Sequence, residues 1–340
     1  MDHVAIDLGG INSQVCVMSS VGELLLERKV ARRKLGDFLA RREASVVVLE
    51  TCSEAMAVAD AAKACGHDVR VVPATLVRSL GVGARGIKTD ERDARALCIA
   101  SCRVELRSVH VPSPRARELK HLLGSRDALI QARTQLCNHV KGFLRQKLLR
   151  VRATPSKLPE ATRLLLSDKP GGVPGYIERV LLGLEATTAQ LAEANKEAAR
   201  LAKSDPVCVR LMTVPGVGPI TSLRFVSTVD DPTRFPDVHR LQSYLGVTPG
   251  ENSSSMTVRR TGITKAGCSS LRWVLVEAAW CLCRLRPEDP AVLWCKEIAK
   301  RRGKTVAIVA LARKLIGILF AIWRDGTTYE AHRGARALAG

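Results

Sequence analysis

Leu122, Leu129, Leu136 and Phe143 recur every seven residues, and Leu123, Ile130, Cys137 and Leu144 stand beside them. An apolar period of seven fits a long amphipathic helix with a coiled-coil-like seam, because a strand would throw alternate members to opposite faces. Residues 153–174 interrupt the pattern with Pro155, Pro159, Pro170, Gly171, Gly172 and Pro174, after which Ile177, Leu184, Leu191 and Ala198 resume it. The middle of the chain is therefore expected to be a two-helix arm, folded as an antiparallel hairpin or used for dimerisation. This arm divides the sequence into residues 1–105 before it, the arm itself over 106–205, a mainly helical domain over 206–330 and a tail over 331–340.

The first hundred residues have a different grain. Val4–Leu8, Gln14–Met18 and Glu23–Val30 read as three short strands joined by Gly9-Gly10-Ile11-Asn12 and Ser19-Ser20-Val21-Gly22, which are good turn material. A helix over Leu35–Arg42, a strand over Val46–Glu50, a helix over Glu54–Cys65, a strand over Val69–Val72 and a helix from about Thr89 follow. Three antiparallel strands leading into βαβ alternation describe a mixed sheet flanked by helices, the order of an α/β RNase H-like (resolvase-like) domain.

Four carboxylates fall at telling places in that order. Asp7 lies in the first strand, Glu50 ends the fourth, and Asp90 and Asp93 stand three apart where a helix begins, hence on one helix face. Singly each has an ordinary reading: Asp90 and Asp93 favour a helix dipole, Glu50 suits a solvated strand end, and Asp7 before Gly9-Gly10 also resembles a phosphate loop. Together they form a set suited to two Mg²⁺ or Mn²⁺ ions for phosphodiester chemistry. The chain around them carries a net charge of +20, which argues for a polyanionic partner, nucleic acid before membrane surface or acidic protein. Aromatic residues make up only 4%, so contact with the phosphate backbone fits better than a base-stacking platform. The eleven cysteines form no CxxC pair and read as reduced thiols of a cytoplasmic protein. The apolar stretch from Thr305 to Trp323 has Arg313 and Lys314 at its centre, so a buried helix and no membrane span is expected.

Further candidate contacts are basic or glycine-rich. Lys141 and Arg145 open a run with Lys147, Arg150 and Arg152 that suits either a nucleic-acid backbone or plain solvation. Gly216 and Gly218, in Val214-Pro215-Gly216-Val217-Gly218-Pro219, resemble the turn of a helix-hairpin-helix module, whose bare amides face phosphate. Ser253-Ser254-Ser255 precede Arg259, Arg260 and Lys265, which places hydroxyls near cationic phosphate clamps.

With both centres in view the chain resembles the insertion-sequence 110 family of transposases over nearly its whole length. The segments that carry the resemblance are Ile6-Asp7, Leu49-Glu50-Thr51, Lys88-Thr89-Asp90-Glu91-Arg92-Asp93-Ala94, Pro215-Gly216-Val217-Gly218-Pro219 and Asp231-Pro232-Thr233-Arg234-Phe235. Tyr244-Leu245-Gly246-Val247-Thr248-Pro249, Lys265-Ala266-Gly267, Leu271-Arg272 and Glu277-Ala278-Ala279-Trp280 complete it. The resemblance implies a DNA recombinase that joins a DEDD metal domain to a C-terminal serine domain. It further implies a structured bridge RNA as guide, donor and target DNA as substrates, and a homo-dimer or homo-tetramer. The family's spacing of five residues after Pro249 puts the nucleophile at Ser254, with Ser253 and Ser255 as neighbours in the same run. Two other readings stay open: a metal-dependent junction nuclease that uses water, and a non-catalytic degenerate copy that binds nucleic acid.

Overall fold

The computed structural model describes residues 1–79, 89–251 and 260–330, which fall into two compact units, Met1–Pro112 and Ser113–Gly340. The first is built on β1 (His3–Asp7), β2 (Asn12–Met18), β3 (Leu24–Ala31), β4 (Val46–Glu50) and β5 (Asp68–Val72). They form one sheet in the order β3-β2-β1-β4-β5, with β1, β2 and β3 antiparallel and β4 and β5 parallel to β1. Alternation along the strands sorts the core into two layers. Val4, Ile6, Val47 and Leu49 pack against α1 (Leu35–Ala40) and α2 (Ala55–Ala64), whereas Ala5, Val46 and Val48 pack against α4 (Asp90–Arg103). Burial on both faces is why β4 reads Val-Val-Val-Leu rather than alternating. A short helix that the sequence reading omitted, α3 (Ala74–Ser79), follows β5.

Buried His67 ties this unit together. The Ser45 N–H donates to its Nδ1 at 3.1 Å, so Nε2 carries the proton and donates to the Leu39 carbonyl at 3.0 Å. One neutral ring thus links the end of α1, the start of β4 and the start of β5.

The second unit opens with α5 (Pro114–Gln146), α6 (Leu158–Leu166) and α7 (Gly175–Ser204). At 33 residues, α5 is roughly 50 Å long. It pairs antiparallel with α7: Phe143 meets Tyr176 edge-on at 6.1 Å, and Arg126 Nε reaches Asn195 Oδ1 at 2.7 Å near the other end. Two details differ from the heptad expectation. The flanking residues Leu123, Cys137 and Leu144 are the buried column, while Leu122, Leu129, Leu136 and Phe143 are half-buried. The interrupted region 153–174 also contains a helix. Pro159 occupies the first turn of α6, where it lacks only an N–H that has no intrahelical partner, and Pro174 is the N-cap of α7. Leu158 and Leu166 of α6 share a core with Leu144, Ile177, Leu181 and Leu184, so a third element widens the apolar stripe beyond a two-helix seam. Arg163 pins α6 to α7 through Glu178 (2.6 Å) and Glu185 (2.5 Å).

The other end of the hairpin merges with the remaining helices: α8 (Pro206–Leu211), α9 (Pro219–Val229), α10 (Val238–Tyr244), α11 (Ser269–Leu285), α12 (Pro290–Arg302) and α13 (Lys304–Asp325). Leu119, Leu123, Ala198 and Ala202 belong to the same core as Phe225, Leu275, Leu311 and Leu315. By length and composition α13 is apolar enough to cross a membrane, yet its buried residues Ala307, Ile308, Leu311, Leu315, Ile316 and Leu319 line this core. Arg313, at its centre, bonds Gln242 of α10 at 2.7 Å.

A buried charge joins three of these helices. Arg224 of α9 is 6% exposed and gives two 2.9 Å bonds to Asp127 of α5 and one of 2.7 Å to Ser270 of α11. Removing the carboxylate strands the guanidinium in the core, whereas removing both ends leaves a smaller defect. Asp127→Ala is expected to lower stability by about 2–4 kcal/mol, with Arg224→Met in the same chain recovering part of the loss in chemical denaturation. A loss in the double variant equal to the sum of the losses in Asp127→Ala and Arg224→Met would show that the pair is not coupled.

Candidate active site

The register of β1 and β4 sets the acids side by side. His3 pairs Val46 and Ile6 pairs Leu49, so the next residues, Asp7 and Glu50, end adjacent parallel strands at the same level. Alternation turns both toward the face that carries Ala5 and Val48, which is the face covered by α4.

The direction of α4 follows from its contacts. Ser101 Oγ lies 2.7 Å from His3 Nδ1, and the Cys98 thiol donates to the His3 carbonyl at 3.3 Å, so the far half of the helix covers the start of β1. Hydrogen bonding to Cys16, then burial, pushes the Cys98 thiol up, and it stays a neutral anchor. Burial first, then the nearby N-terminus and Arg70, lowers the His3 pKa, which keeps that end neutral as well. From His3 to Asp7 the strand advances roughly 13 Å, a distance that α4 covers in about nine residues. Counting back from Ser101 reaches the turn of Asp93. That carboxylate is 6% exposed, with Ala94 and Leu97 on the same buried side, while Asp90 lies one turn further out and is exposed. Thr89 caps the helix by accepting from the Arg92 N–H at 3.3 Å, which fixes where the acidic first turn begins.

Sheet register and helix direction thus gather Asp7, Glu50 and Asp93 at one edge, with Asp90 at its rim. Their all-oxygen donor chemistry suits hard divalent cations. Among the described residues, no group of three or more His, Cys, Asp or Glu side chains is placed to hold a metal ion.

The second centre lies in the other unit. Positions Ser253, Ser254, Ser255 and Arg259 fall outside the described residues, but the two strands that flank them are β6 (Pro249–Glu251) and β7 (Arg260–Ile263), an antiparallel pair. The base of this pair is tightly built. Thr264 N–H donates to the Thr248 carbonyl and Lys265 N–H to the Gly246 carbonyl, each at 3.0 Å, and Arg272 reaches the carbonyls of Leu245 and Ala266. Gly246 and Gly267, with φ of +68° and +69°, press against each other's neighbours: a Cβ would lie 2.1 Å from the Ala266 oxygen and 2.2 Å from the Tyr244 oxygen, respectively. Nothing larger than hydrogen fits either place.

The remaining candidates separate clearly. Gly216 (φ +91°) sits where a Cβ would meet the Ala278 oxygen at 2.6 Å, so close packing on α11 accounts for this glycine. Gly218 is the N-cap of α9 with open space beside it. Arg145 and Lys265 are exposed, and Lys141 is half-buried. Arg260 begins β7. The sequence reading passed over the exposed cations Lys300, Arg301, Arg302 and Lys304, although four charges in five positions was a legible signal. For the hairpin base, Gly246→Ala is expected to cost about 3 kcal/mol or more and to speed deuterium exchange at the Thr264 and Lys265 amides. Unchanged exchange there would contradict the role given to this glycine.

Comparison with known proteins identifies the family. The transposase model of the DEDD IS110 type matches residues 4–148, which contain all four acids, and the model described as Transposase IS116/IS110/IS902 family matches residues 208–292. The transposase for insertion sequence element IS1111A of Coxiella burnetii is 28% identical over 96% of this chain and 91% of its own length. The transposase for insertion sequence element IS1328 of Yersinia enterocolitica is 27% identical over 96% and 98%. The putative transposase y4qE of Sinorhizobium fredii is 30% identical over 77% and 71%. The chain belongs to the IS116/IS110/IS902 family of transposases.

Proposed function

We propose that this transposase cuts and rejoins donor and target DNA through a covalent link to Ser254, assisted by a metal site formed by Asp7, Glu50, Asp90 and Asp93. The observation that carries the reading is the shared level of Asp7 and Glu50 on parallel strands, with buried Asp93 on the same face. The sheet order β3-β2-β1-β4-β5 supports an RNase H-like reading of the first unit. Bound Mg²⁺ or Mn²⁺ would supply Lewis acidity to the scissile phosphate and to the oxygens that enter and leave it. The Ser254 hydroxyl attacks phosphorus in line and gives up its proton. The bond to a deoxyribose oxygen breaks, and that oxygen takes up a proton. The phosphodiester on serine conserves the energy of the broken bond, so a second DNA end can reverse the step without ATP.

A bridge RNA as guide suits a chain that offers many cations and few aromatic residues, since delegated base pairing leaves the protein to hold backbone and shape. Two DNA partners call for a homo-dimer or homo-tetramer. All eleven cysteines are free thiols, which suits a reducing cytoplasm. A second reading, a metal nuclease that uses water, draws on the fact that all four acids lie in one unit.

The test incubates the protein with its flanking RNA, Mg²⁺ and both DNAs, then looks for a protein–DNA band under denaturing conditions. Ser254→Ala is expected to abolish the band, and Asp7→Ala to reduce it on the order of 10²-fold. Cleavage that persists in Ser254→Ala without any band would favour the nuclease. A wild-type chain inert under these conditions would favour a degenerate copy.

A further inference from the structure

We infer that the corner between α12 and α13 is a DNA-backbone contact, in which Arg301, Arg302 and Lys304 receive consecutive phosphates of the substrate duplex. All three side chains are exposed, and none has an ion-pair partner among the described residues. The nearest acid in sequence, Glu297, is taken by Lys300 at 2.7 Å, and Lys296 donates to the Pro287 carbonyl at 2.9 Å. The cations are therefore available for a partner outside the unit.

Helix electrostatics decides between a stabilising role and a binding one. Arg301 and Arg302, in the last turn of α12, complement the negative end of its dipole and are at home there without a ligand. Lys304 is different. It begins α13, a helix of 22 residues with no acid in its first turn and no side-chain cap, so its charge adds to a positive helix end. Gly303, at φ +83°, reverses the chain between the two helices and brings the three cations into one corner. Such a concentration of positive charge is unfavourable in the isolated protein and favourable against a polyanion. Membership of a transposase family makes DNA that polyanion. The inference rests on DNA being the substrate and is independent of Ser254 and of the acid edge.

The experiment measures binding of the full-length chain to a 40-base-pair duplex by fluorescence anisotropy over a range of NaCl concentrations. The variant Arg301→Gln/Arg302→Gln/Lys304→Gln is expected to weaken binding roughly tenfold or more and to reduce the slope of log K against log salt by about 2 to 3. A control of equal charge, Lys157→Gln/Lys169→Gln/Lys203→Gln, removes scattered exposed lysines and is expected to change the slope by less than about one. The charge-preserving variant Arg301→Lys/Arg302→Lys/Lys304→Arg is expected to keep the wild-type slope. Equal losses in the clustered and scattered variants would show that only net charge matters and overturn the inference. Weakened binding confined to a duplex RNA of the same length would overturn it too.

Discussion

The packing of α4 antiparallel to β1 is the constraint on which the first unit depends. Strand ends alone bring together Asp7 and Glu50, two like charges with no reason to share a site. The third acid arrives because Cys98 and Ser101 grip His3, at the opposite end of the same strand, which leaves the first turn of α4 to reach the acidic edge. Buried anchors at one end of the helix thus set where its acidic first turn falls at the other.

The second unit solves a different problem, which is to present a short two-stranded element from an otherwise helical body. Two glycines with left-handed backbones let the chain after α10 and the chain before α11 approach within backbone contact, and two backbone hydrogen bonds close the base. The helices beneath are fixed by Arg224, whose three bonds to Asp127 and Ser270 join α5, α9 and α11. The β6–β7 pair therefore stands on a firmly held base.

Much of this could be read from the residues alone, for identifiable reasons. The strands of the first unit declared themselves because both faces of the sheet are buried, so β1 and β4 are almost wholly apolar up to their terminal acids. The arm declared itself through its seven-residue period. What escaped was decided by tertiary context. Pro159 looks like a breaker in sequence and becomes a helix start once Leu158 and Leu166 have a core to enter. Two adjacent apolar columns on α5 cannot be ranked without knowing that a third helix shares the stripe. Gly216 looked like a phosphate turn, and its packing against the Ala278 carbonyl comes from a helix some sixty residues on.

The carboxylates of the first unit are proposed to act together as a metal site. Counting Mn²⁺ bound to the full-length protein, by the free-ion electron paramagnetic resonance signal during titration, addresses it directly. The account predicts two ions per chain in the wild type, and loss of at least one in Asp7→Asn and again in Asp93→Asn. The same stoichiometry and affinity in all three proteins would contradict it.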